Sequence, residues 1–466
     1  MSTLSTRFPR PERNAVLLGL RPIQVALLAA CVVTTTLVVV AQTTLTMKAI
    51  GLSSAGLFVA AAFSRAEGLP MHRWLVLRAA HLWRPRSYRA QVMQPRQHEQ
   101  LDLPGEKMRL LSWNSSIGII HDQRRRRLIA VARIEGPAHL LQNSDEQERR
   151  VTAYGRMIAG LCQGNRIARA QILERTLPDP GDEVGAWAKK RNVDPTTPAG
   201  AIYTELLNRA APAAARHETL FAFAVNLDAV SREVRKHGGG ITGAVAVLES
   251  EARAFQTSLS SAGVIGSWLA ADDLAMSLRL AFDPAMVRGS KVLEGAEAGP
   301  LAIDADWDLL RTDSSFHRVY VISEWPRVRT TPSFLSPLLL KPGIRRTFTL
   351  VLQPIPMAKA LRDARRHQVE RITDRATRKR IGQLETEEDR QQDADVAQRE
   401  RDLAAGHGDV RWLGLVVVSA DDEEKLDDAC MEIEIAATQA LLDLRRLVGQ
   451  QADGFLAGAL PFGIGL

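Results

Sequence analysis

Residues 410–450 read VRWLGLVVVSADDEEKLDDACMEIEIAATQALLDLRRLVGQ, and the change of period inside this stretch sets the fold class. Up to Ser419 the run is apolar and β-branched, as a buried strand requires. Beyond Ala420 the apolar positions Leu426, Cys430, Ile433, Ala437, Leu441, Leu444 and Val448 recur by fours and threes, which predicts one apolar face on a helix over 421–450. Ser419 and Asp422 stand where side-chain oxygens satisfy the first free N–H groups of that helix. Such a helix packs on a sheet, with Cys430 as a small core residue rather than a reactive thiol.

Strand patterns recur upstream at 219–227 (TLFAFAVNL), 316–324 (FHRVYVISE) and 347–353 (TFTLVLQ), with helical periodicity over 144–163, 197–210, 243–261 and 270–281. Two apolar runs within 116–135 read as a hairpin whose turn carries Arg124 to Arg127, a charge run that suits a solvated turn. The balance is α+β. Residues 357–403 are helix formers with a basic first half, Arg362 to Arg380, and an acidic second half, Glu385 to Asp402. A helix polar on most sides is not core, so this is either an exposed arm or two antiparallel helices broken near Gly382.

The chain has 466 residues and a net charge of +7, and the excess is local: residues 1–100 hold twelve basic against three acidic residues, while the remainder sums to −2. A nucleic-acid-binding body is therefore not expected. Pro22 to Met47 is uncharged, and after Lys48 a second uncharged run covers Ala49 to Ser64. Helices of this length predict a transmembrane hairpin. Arg7, Arg10, Arg13 and Arg21 precede the first run, Arg65, Arg73, Arg78 and Arg84 follow the second, and the connection is nearly bare apart from Lys48, so the positive-inside rule places both termini in the cytoplasm. A cleaved signal peptide leaves the second run unexplained. Leu28 to Cys31 also resembles a lipobox, although the residues after Cys31 stay apolar. Met71 to Trp83 mixes Trp74, Leu75, Leu82 and Trp83 with Arg73, Arg78 and His81, which suits either a helix at the membrane surface or packing on the body.

No sequence motif nominates an active site. G-x-x-x-x-G-K-[ST], H-E-x-x-H and G-x-S-x-G are missing, the three cysteines lie more than 100 residues apart, and Gly238-Gly239-Gly240 lacks the following Lys-Ser. A non-enzymatic scaffold without cofactor or metal is expected. The alternative is a membrane-anchored cytoplasmic enzyme whose site is assembled from residues distant in sequence.

The exit Gln353-Pro354-Ile355-Pro356 into a charged arm, Gly406 to Trp412 leading a strand, Leu444 to Gln451, and the final Phe455-Leu456-Ala457-Gly458-Ala459-Leu460-Pro461-Phe462-Gly463 together resemble a known arrangement. It is similar to the N-terminal, non-motor region of conjugative type IV secretion ATPases of the CagE/TrbE/VirB family. The hairpin resembles the PrgI-like two-span membrane subunit of such systems, and the whole layout resembles an actinobacterial family of integral membrane proteins. The resemblance is closest from about residue 345 onward. It implies a multi-pass inner-membrane protein that recruits a separate RecA-type ATPase, works beside other secretion-channel subunits and the lipid bilayer, and is oligomeric in the assembly. The implied partner-contact residues are Arg445, Arg446, Gln450, Phe455, Pro461 and Phe462. The expected fold is α+β: a basic tail (1–20), a transmembrane helical hairpin (21–65), a basic interfacial helix and linker (66–104), a cytoplasmic mixed α/β domain (105–356), a long charged helical arm (357–406) and a closing strand and helix (407–466).

Overall fold

The apolar runs pair into one large antiparallel sheet in the computed structural model, which describes residues 8, 22–40, 45–90, 99–113, 117–136, 142–178, 190–191, 194, 196–210, 215–284, 286, 297–381 and 387–466. In chain order the elements are α1 (Pro22–Val40), α2 (Leu45–Phe63), β1 (Arg65–Ala66), β2 (Leu69–Pro70), α3 (Met71–Trp83), β3 (Ser87–Arg89), β4 (Gln100–Leu101), β5 (Met108–Trp113), β6 (Ile117–Asp122) and β7 (Arg127–Glu135). They continue with α4 (Ser144–Leu161), β8 (Ile167–Pro178), α5 (Pro198–Ala210), β9 (Ala215–Asn226), α6 (Ser231–Lys236), α7 (Gly240–Ser261), β10 (Ile265–Trp268), α8 (Ala271–Phe282), β11 (Ala302–Ala305), β12 (Leu310–Thr312) and β13 (Ser315–Glu324). The last are α9 (Ser336–Leu339), β14 (Arg345–Ile355), α10 (Met357–Ile381), α11 (Glu387–Ala404), β15 (Asp409–Ala420), α12 (Glu423–Gln439), β16 (Asp443–Arg446) and α13 (Gln451–Gly458).

The sheet runs β3-β11-β12-β13-β15-β14-β8-β9-β7-β6-β5-β4, with β10 on β7 and β16 on β13. Its central strands are the longest apolar runs, because a strand covered on both faces tolerates few polar side chains. One face buries Leu173, Leu220, Val319 and Val417 under α8 and the C-terminal residues 455–464. The opposite face packs Phe221, Phe223 and Leu352 against α4 and α7, and Tyr320, Phe348 and Val418 against α12. Asp422 caps α12 by accepting from the Lys425 N–H at 2.8 Å. The helix stops at Gln439, short of the expected 421–450: Leu441 takes a positive φ of 59°, and the chain reverses so that β16 pairs with β13. The charged stretch forms two helices, α10 and α11, that pack on each other; Gly382 lies outside the described residues.

The expectation of a transmembrane hairpin is corrected. Among the described residues no helix is long and apolar enough to cross a membrane, which overturns the multi-pass inner-membrane assignment with it. Helices α1 and α2 do pack together, with Gln24 Nε2 donating to the Ala62 carbonyl at 3.0 Å. Each has 19 residues, about 28 Å at 1.5 Å per residue against a hydrocarbon core of roughly 30 Å. Lys48 sits in the first turn of α2 and shortens its uncharged part further.

Candidate docking junction

The turn between β1 and β2 places Glu67 and Gly68 in the left-handed region, with φ of 51° and 74°. Gly68 is needed there for a second reason: a Cβ would lie 2.9 Å from Arg445 Cδ. Glu67 thereby reaches both indoles of the junction, accepting from Trp74 Nε1 at 3.2 Å and from Trp307 Nε1 at 3.0 Å. Trp307 belongs to the sheet domain and is the hub. Trp74 meets it edge-on at 5.9 Å, His81 at 5.3 Å, and the Arg78 guanidinium lies 4.7 Å above its ring. Gly449 closes the other side, since a Cβ there would lie 2.6 Å from Trp307 Cζ3. Burial, then the charges of Arg86 and Arg78, lower the His81 pKa against the opposing pull of Asp306. Arg84 completes the junction through Asp453 at 2.8 Å.

The structure thus brings together residues that the sequence reading kept apart. Arg73, Arg78 and Arg84 lie on or beside α3 and are exposed; Arg65 is exposed in β1. Arg445 is half-buried, and its pKa is lowered by burial and by Arg73. Arg446 pairs with Glu434 at 3.3 Å and lies over the Tyr320 ring. Gln450 is half-buried at the start of α13. Arg21 lies outside the described residues, and Lys48 falls within α2.

Phe455, Pro461 and Phe462, which the resemblance implied as partner contacts, are buried in the chain's own interior. The physical reason is a set of buried polar anchors absent from the sequence reading. Gln171 on β8 donates to the Ala457 and Leu460 carbonyls at 3.1 and 2.9 Å and accepts from the Gly463 N–H at 2.7 Å. Thr349 Oγ1 donates to the Gly458 carbonyl at 2.6 Å, and Gln451 accepts from the Val319 N–H at 2.8 Å. Nothing local marks Gln171, whose partners lie nearly 300 residues away.

Arg124 to Arg127 form the expected turn and strand start; Arg125 is tied to Glu106 and Asp122, and Arg126 to Asp228. What remains on α3 is a surface. Leu75, Val76, Leu82 and Trp83 are 51%, 68%, 63% and 89% exposed; Arg73 and Arg78 are exposed on the same helix, and Arg84, Arg86 and Arg89 are exposed in the residues that follow it. Exposed Trp and Arg beside aliphatic groups have the composition of interface centres.

A small recess, with a cavity volume of about 20 Å³, lies where β8, β14 and β15 meet α8 and α13, and its lining includes Arg175, Arg345, Arg346 and Ser419. Its cations are already engaged. Arg175 binds Glu218 Oε2 at 2.7 Å and Ser277, Arg345 pairs with Asp421, and Arg346 donates to backbone carbonyls. Burial raises the cost of ionising Glu218, yet the Arg175 and Arg133 guanidiniums overcome it and hold the carboxyl below its ordinary range. Ser419 Oγ lies 2.8 Å from His317 Nδ1, and His317 Nε2 lies 2.7 Å from Thr312 Oγ1. Thr312 donates to the Phe282 carbonyl at 2.6 Å, so its oxygen accepts from Nε2–H, and Nδ1 accepts from Ser419. Burial pushes the His317 pKa down to about 3 and keeps the ring neutral. Among the described residues no group of three His, Cys, Asp or Glu side chains is placed to hold a metal ion.

Residues 213–322, from the start of β9 into β13, match the family described as "Putative type VII ESX secretion system translocon, EccE". The matched segment is well under half of the chain. No curated protein matches the sequence. This segment is similar to a secretion-system component, of the type VII and not the type IV kind. The type IV resemblance is corrected accordingly, and the match falls upstream of residue 345, where that resemblance was closest.

Proposed function

We propose that the chain is a non-catalytic structural component of a type VII-like secretion assembly, and that it docks other subunits through the exposed face of α3. The observation that carries this reading is the exposure of Leu82 and Trp83 on a helix that also carries Arg73 and Arg78, is followed by Arg84, Arg86 and Arg89, and is fixed to the body by Trp307. Apolar groups ringed by guanidiniums fit a partner surface that is apolar at its centre and acidic at its rim. Similarity of residues 213–322 to a translocon family supports the setting. A separate motor ATPase is among the subunits this reading expects to find. Engagement of each recess cation within the chain supports a scaffold over an enzyme, because a substrate would have to displace those partners. Affinity purification of the full chain from its own cells tests the proposal. Secretion subunits should co-purify in fixed proportion; recovery of the chain alone would contradict it.

A further inference from the structure

Phe8, the one described residue ahead of α1, places its ring against the sheet domain. It stacks on Trp325 with centroids 5.0 Å apart and 26° between planes, and meets Phe334 edge-on at 5.3 Å and 61°. Both geometries are those that aromatic quadrupoles favour. Trp325 and Phe334 are partly buried against the cluster under α12. Trp325 crosses Gly414 on β15 so closely that a Cβ there would lie 2.9 Å from Trp325 Cζ2. The cleft therefore has one wall seated on side-chain-free backbone, a second wall at an angle to it, and room for one ring between them.

The occupant comes in a suitable context. Phe8 lies in Arg7-Phe8-Pro9-Arg10, and a residue before proline favours extended backbone. Residues 9–21 separate it from α1, a length that spans up to about 45 Å when extended.

We propose that the Trp325–Phe334 cleft is a recognition site for an aromatic side chain in a basic, extended segment, and that the chain's own Phe8 fills it as a detachable latch. The α1–α2 hairpin is then fastened from both ends, by Phe8 ahead of it and by Glu67 and Trp74 on Trp307 behind it. Among the described residues the front fastening consists of ring contacts of Phe8, whereas hydrogen bonds, ring contacts and a cation over Trp307 make the rear one.

Phe8→Ala empties the cleft without altering the body. A fluorescein-labelled peptide of residues 1–16 should bind the Phe8→Ala chain at least about tenfold more tightly than the wild-type chain, whose competent fraction is small. The peptide carrying Phe8→Ala should bind neither. Equal affinity for both chains, or no binding to the Phe8→Ala chain, overturns the latch. In the Phe8→Ala background, Phe334→Leu should abolish capture while the thermal unfolding midpoint stays in place, and Trp325→Leu should do the same. Capture retained by either folded variant overturns the assigned cleft. Concentration-dependent dimerisation of the wild-type chain that Phe8→Ala removes would place Phe8 in a second copy and overturn a latch within one chain.

Discussion

Helix α3 and the C-terminal residues 451–464 meet at the Arg84–Asp453 pair, yet Trp83 is 89% exposed while Phe455 and Phe462 are each 1% exposed. Both segments are short, rich in apolar residues and preceded by arginines, although α3 carries Arg73 and Arg78 while residues 451–464 carry a single charge, Asp453. The difference lies in the polar groups each must satisfy. The C-terminal segment carries backbone N–H and C=O groups into the interior, where Gln171 and Thr349 pair with them, while its own Gln451 accepts from the Val319 N–H. Such groups are costly to bury unpaired. Helix α3 satisfies its own backbone and is held through Trp307, Glu67 and the Arg84–Asp453 pair, so its second apolar face stays exposed. Interior anchoring can thus be distinguished from surface docking by where the buried hydrogen bonds converge.

Breaking the interior side of this comparison should have the largest effects. Glu218→Gln removes the carboxylate shared by Arg175 and Arg133 and leaves a buried guanidinium uncompensated; urea unfolding should report a loss of about 3–5 kcal/mol. Gln171→Ala orphans the Gly463 N–H and two carbonyls, and should cost about 2–3 kcal/mol in the same assay. Acid should act through His317. Its pKa is lower in the fold than in the unfolded chain, so the native state binds fewer protons and stability falls as pH drops below about 6.5. Between pH 6.5 and 4.5 the loss should be about 2 kcal/mol, and His317→Gln should flatten that slope relative to wild type. At the docking side the stability effect should be smallest: Trp83→Ser should change unfolding by no more than about 0.5 kcal/mol.

Much of the sheet was legible because its signals are local. The runs at 219–227, 316–324, 347–353 and 410–419 became β9, β13, β14 and β15, and the Asp422 cap marked the start of α12. The end of α12 was not legible, because Leu441 keeps the apolar spacing while its backbone turns left-handed to feed β16. The burial of Phe455 and Phe462 was hidden for a related reason: their setting depends on Gln171 and the opposite sheet face, far off in sequence. The candidate junction was half visible. Trp74, Arg78 and His81 stood out by composition, but Trp307, Glu67 and Gly449 acquire meaning only when the fold assembles them. Apolar composition also predicted membrane spans from α1 and α2, yet no described helix is long and apolar enough to cross a membrane.

The central claim is that the exposed face of α3 docks secretion subunits, and a matched pair of surface variants tests it directly. Helix α12 offers the control, since Met431 and Ile435 are also exposed, at 55% and 58%, on a helix that itself carries no arginine. Subunits that co-purify with the tagged wild-type chain should be lost from Leu82→Ser/Trp83→Ser and retained by Met431→Ser/Ile435→Ser, with unfolding midpoints unchanged in both. Retention by the α3 variant, or loss from the α12 variant alone, would contradict the account.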